Sequence, residues 1–246
     1  MDKIIKIALG LFVLILVLFV ATVSYTMYVD MAYQNSLNST YQYTCSFSTE
    51  DVLHNVTLFL PVPADIHGNS PVIAQISSQE VTGVPANWKL TLFDTGKATL
   101  LQVLAPTIGQ PPANGSANPT TVTLVVNVSS PVYINTASPL DHAAVFRPIQ
   151  NLQAAACPSQ DTTAPGIPSC YQYQTSAYTD YTAAPNASLT ISASVTGTNT
   201  WYIFSPESNM YQNSISIQTL HGSNHGWVTP VGWIEYGMGS NDTPAF

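Results

Sequence analysis

From residue 7 to residue 29 the chain runs for 23 residues without a charge, and residues 7–21 are apolar throughout apart from Gly10. As a helix rising about 1.5 Å per residue, this stretch exceeds the roughly 30 Å hydrocarbon core of a bilayer. Tyr25 and Tyr28 follow at its far end, where amphipathic rings favour the interface, and Lys3 and Lys6 flank its near end. The positive-inside rule then predicts a cytoplasmic tail over residues 1–6, a transmembrane helix over 7–29 and the bulk of a single-pass protein outside the cell membrane. The rival is a cleaved signal peptide, whose apolar stretch is usually only about 7–15 residues. Thr22 and Ser24 make a weak cleavage pair, and the longer run favours a retained anchor.

Beyond residue 6 only Lys89, Lys97 and Arg147 stand against twelve acids, and 7% of the whole chain is charged. Phosphate recognition needs clustered Lys and Arg, so nucleic acid is excluded as a partner, and anionic polymers are disfavoured for the same reason. Ser, Thr, Asn, Gln and Tyr are plentiful instead, so the polar surface is built from neutral hydrogen-bonding groups. In this composition and layout, though in no specific motif, the chain resembles surface proteins of archaea.

Residues 30–39 are expected as a stalk, partly helical, and residues 40–246 as one extracytoplasmic β-rich domain. In residues 40–48, Tyr41, Tyr43, Cys45 and Phe47 alternate with Gln42, Thr44, Ser46 and Ser48, the period of a half-buried strand. Further strands are expected over 55–60, 72–76, 88–93 and 98–104, the last two forming a hairpin across Asp94, Thr95, Gly96 and Lys97. Val122, Leu124, Val126 and Val128 mark one face of another. The Pro- and Gly-rich stretch 106–120 is expected as a long exposed loop and a candidate break between subdomains. Residues 135–187 look irregular, with a short helix over 143–156 interrupted by Pro148. Strands are expected again over 189–195 and 200–204, joined by a turn at 196–199, then over 214–220 and 227–236, the latter broken by Pro230 and Gly232. Many short strands with turn signals between them predict a mainly β fold, an antiparallel sandwich.

Cys157 and Cys170 bracket a short Pro-rich segment, and outside the cell such a pair is expected as a disulfide, leaving Cys45 as a buried free thiol. Six Asn-x-Ser/Thr sequons occur, with Asn38, Asn114 and Asn186 as glycosylation candidates beside Asn55, Asn127 and Asn241. His221 and His225 are spaced like paired metal ligands, but the intervening Gly222, Ser223 and Asn224 oppose a helix there, so no metal and no cofactor are assigned. Glu235 as a third ligand, and Asp65 with His67 as a second pair, are the weak alternatives. Nucleophile-elbow, Walker and dinucleotide motifs are missing from the sequence.

Tyr171, Tyr173, Tyr178 and Tyr181, interleaved with Gln172, Gln174, Thr175 and Asp180, are the densest set of contact-forming side chains. They are the expected binding surface, with coverage of the core as the competing reading. The function expected is that of a membrane-anchored envelope module for binding, adhesion or structure, with envelope glycans or other surface proteins as partners and no catalytic residues. The alternatives are an accessory subunit of a membrane complex and a secreted hydrolase or metal-dependent enzyme.

Overall fold

Nothing in the apolar run stops a helix, since it holds no proline and its one glycine is followed by long leucine-rich turns. In the computed structural model, which describes residues 2–96, 98–110, 119–157 and 169–240, helix α1 (Asp2–Ser36) is unbroken through most of the expected stalk. It is long and apolar enough to cross a membrane, and residues 3–28 are all exposed, so none of the described residues buries its apolar surface.

One residue later β1 (Asn38–Thr49) begins, with Tyr43, Cys45 and Phe47 buried and Gln42 exposed, as its alternation predicts. It is followed by β2 (Leu53–Pro61), α2 (Ile73–Ser77), β3 (Lys89–Asp94), β4 (Thr99–Ile108), β5 (Thr120–Ser130) and α3 (Pro139–His142). The chain then forms β6 (Gln150–Ala154), β7 (Ser169–Gln174), β8 (Ala177–Ala183), β9 (Ser188–Tyr202), β10 (Pro206–His221), β11 (Asn224–Val228) and β12 (Val231–Gly239). The strands make two antiparallel sheets, ordered β5-β1-β9-β10-β12-β7-β6 and β11-β8-β2-β4-β3.

Inward residues of both sheets, among them Phe47, Ile191 and Val195 from one and Leu58, Leu60 and Val103 from the other, share a single core. This is the expected sandwich. A smaller core of Ile134, Ala143, Val145, Tyr211 and Ile234 forms where residues 132–146 pack on β10 and β12. Arg147 ties that segment down, donating to the carbonyls of Leu140 at 2.7 Å and Ala64 at 3.3 Å.

Several local expectations are overturned by tertiary context. Residues 72–76 lie in and beside α2, because Val72 and Ile76, four apart, point together into the core. The helix expected over 143–156 is replaced by buried extended chain and β6; Pro148 has no N–H to continue a helix there. No turn interrupts β9 at 196–199, since Gly197 instead makes room for the ring of its cross-strand partner Tyr211. Gly232 does the same within β12 for its partner Tyr173, so residues 227–236 part only at Pro230, into strands of different sheets.

The loop expected over 106–120 starts later, because Pro106 lies inside β4. It is tolerated there opposite Asn55, which takes a left-handed φ of 53° at a bulge in β2, and beyond the last residue paired with β3. Residues 111–118, Asn114 among them, lie outside the described residues. The strands flanking them, β4 and β5, both contribute to the main core.

Candidate binding surface

Side chains alternate across a strand, so the registers of the five-stranded sheet arrange its outer face in rows. Trp227 stands opposite Tyr178, Tyr178 opposite Phe59, Phe59 opposite Gln102 and Gln102 opposite Thr91. The adjacent row runs His225, Asp180, Thr57, Leu104, Lys89. Four strands distant in sequence thereby bring aromatic rings to one face, while Leu58, Leu60, Val103 and Thr179 point the other way into the core.

The rings meet edge to face. Centroids of Trp227 and Tyr178 are 5.6 Å apart at 69°, those of Tyr178 and Phe59 5.7 Å at 67°, and those of Phe59 and Phe93 5.1 Å at 62°. In this arrangement the electropositive ring edge meets the electronegative face of the next ring, which orients the ladder beyond simple burial. Phe59 and Phe93 lean toward each other across β4, whose Leu100 is buried on that side although it is not part of the main core. The ends of the ladder stay open, Trp227 at 63% exposure and Phe93 at 48%.

Polar groups border the rings. His225 Nδ1 lies 3.1 Å from Asp180 Oδ2, with the Tyr178 hydroxyl 3.4 Å from the same nitrogen. Thr91 donates to Gln102 Oε1 at 2.7 Å and so orients that amide. Such a face can stack apolar C–H groups and exchange neutral hydrogen bonds. Beside it, between α2 and β3, opens a cleft of about 280 Å³ floored by Ile76, Val81, Val84 and Trp88.

Of the four tyrosines expected to form one surface, only Tyr178 belongs to this face. Tyr173 and Tyr181 are buried, Tyr173 because Gly232 leaves its ring a place and Tyr181 because it points into the main core. Tyr171 stacks on Tyr236 at 5.9 Å against the smaller core. The four do not share a surface, since the chain changes sheets between β7 and β8.

The Cys157–Cys170 disulfide is formed, with Cα atoms 5.2 Å apart, and Cys45 is free and buried. Asn38 and Asn186 are exposed. His221 ends β10 while His225 pairs with Asp180, and neither belongs to a trio of potential ligands among the described residues. The one such trio there is Cys157, Cys170 and Glu235, and its two sulfurs are bonded to each other rather than available as thiolates. Asp65 organises its own loop, accepting from the backbone N–H groups of His67 at 2.8 Å and Asn69 at 2.9 Å and from the Asn69 side chain at 2.9 Å. Burial pushes its carboxyl up, and these bonds outweigh it, leaving the group below the usual carboxylate range.

Phe59, Phe93 and Trp227 escape sequence reasoning because nothing local links positions so far apart; the one usable signal is Phe59, out of phase with the buried Leu58 and Leu60. Comparison with protein-family models, with curated proteins and with solved structures finds no match to this chain.

Proposed function

We propose that the protein is a membrane-anchored binding module of the cell envelope, held by α1 with its N-terminus in the cytoplasm, that grips neutral glycan chains on the outer face of its five-stranded sheet. The observation that carries this reading is the ladder Trp227, Tyr178, Phe59, Phe93, a row of part-exposed rings on a rigid sheet. Sugar rings present C–H faces that pack on aromatic side chains and hydroxyls that bond to amides and hydroxyls such as Gln102, Thr91 and Thr57. The apolar groups are interleaved with these polar ones rather than forming the continuous patch usual for a large protein interface. The chain's scarcity of bases and the neutrality of most of the face suit an uncharged ligand. Exposed sequons at Asn38 and Asn186 fit an extracytoplasmic, glycosylated domain.

The test is a glycan array followed by calorimetry on the purified full-length protein. Binding to a neutral polysaccharide should fall roughly tenfold or more in Trp227→Ala and in Tyr178→Ala. The melting temperature of Trp227→Ala should stay unchanged, because its ring is exposed. Undiminished binding in both variants would remove the ladder as the site.

A further inference from the structure

The β9–β10 hairpin runs back along α1. Ser36 Oγ donates to the Tyr202 carbonyl and accepts from the Tyr202 N–H, each at 2.9 Å. Tyr33 and Trp201, both buried, meet edge to face at 5.7 Å. From there the turn descends the helix, and Phe204 comes to rest 6.2 Å from the ring of Tyr25 and 6.1 Å from that of Tyr28. A helix that enters the hydrocarbon at Ile7 has used about 30 Å of rise when it reaches Tyr25 and Tyr28. Those rings therefore mark the outer interface, and Phe204 shares their depth.

We infer that the β9–β10 turn is a second membrane contact, with Phe204 seated in the interfacial region of the bilayer and the domain held against the lipid surface. The inference rests on the membrane-spanning reading of α1. Phe204 is 62% exposed and Tyr202 56%, an arrangement that water disfavours and an interface of lipid headgroups and acyl chains rewards. Val132, 67% exposed, lies at the same end, just past Ser130, which pairs with Ser39 at the start of β1. Asp30 and Glu207 sit nearby in sequence and no Lys or Arg accompanies them, so attraction to anionic headgroups is not the cause; the fit is to a zwitterionic surface.

The experiment places single nitroxide labels on the unreduced full-length protein in phosphatidylcholine nanodiscs, where the disulfide and the buried Cys45 leave introduced cysteines as the labelling sites. Phe204→Cys is compared with His221→Cys, at the far end of the 16-residue β10, and with Val17→Cys in mid-helix. Expected is a ratio of oxygen to aqueous nickel-complex collisions several-fold higher at 204 than at 221, and highest at 17. A label at 204 that behaves like the one at 221, while 17 reads as lipid, overturns the second contact and leaves the anchor standing. An aqueous signal at 17 overturns the anchor, and the inference falls with it.

Discussion

The side chain of Asn199 pairs with the backbone of Ile134 as a second strand would: its Nδ2 donates to the Ile134 carbonyl at 2.7 Å and its Oδ1 accepts the Ile134 N–H at 3.0 Å. Oδ1 also accepts from Ser39 at 2.6 Å, and Nδ2 also donates to Asn209 at 2.7 Å. The buried amide thus uses its whole hydrogen-bonding capacity, and joins the start of β1 to β10 and to the segment over the smaller core.

Asn199→Asp turns both donated bonds into oxygen facing oxygen, so it should cost more than Asn199→Ala, which should itself cost about 2 kcal/mol or more. Urea unfolding of the solubilised protein measures both. An Asp variant as stable as the parent would contradict the bonding described.

Gly197 and Gly232 each lie under the ring of a cross-strand tyrosine, where an added Cβ would overlap Tyr211 or Tyr173. Gly197→Ala and Gly232→Ala should each destabilise by roughly 1–3 kcal/mol, the usual range for overpacking. Thermal melts will register this as lowered midpoints; unchanged midpoints would mean the rings move aside freely.

Thiol titration without reductant should find no reactive cysteine in the folded protein and one after denaturation. The reactive one is Cys45, since Cys157 and Cys170 are oxidised. Mass spectrometry of the alkylated chain identifies the site, and modification of Cys157 or Cys170 would contradict the pairing.

Burial pushes the Cys45 thiol from 9.0 up to about 12, against the opposing effect of its bond to Tyr43. The folded state holds this proton more tightly than the unfolded one, so its contribution is full below pH 9 and is lost as pH rises toward 12. The decline should approach about 1.4 kcal/mol per pH unit from this group. Tyr43, Tyr173 and Tyr211, all raised by burial, add to it at the alkaline end. Urea midpoints between pH 8 and 11 should fall less steeply in Cys45→Ala than in the parent, and identical slopes would exonerate the thiol.

What was legible in the sequence was local. The uncharged run, the alternation through Tyr43, Cys45 and Phe47, the hairpin around Gly96 and the proximity of Cys157 to Cys170 each follow from neighbours a few residues apart. What was illegible depends on distant partners. Gly197 and Asn199 carry turn-forming identities, yet one answers to the ring of Tyr211 and the other to the backbone of Ile134. Pro106 in β4 is explained only by the bulge at Asn55 across the sheet. The aromatic face needs the registers of β11, β8, β2, β4 and β3 together before Phe59, Phe93, Tyr178 and Trp227 become neighbours.

Only Leu37 separates α1 from β1, and β1 lies between β5 and β9, paired with both along its length. On the proposed reading, a pull on a bound ligand would reach β1 at its N-terminal end, and whatever part of it is directed along the strand falls on both ladders. Its two ladders would then bear that load in shear, many bonds yielding at once, instead of unzipping one by one. On that reading the join between anchor and domain acts as a mechanical clamp.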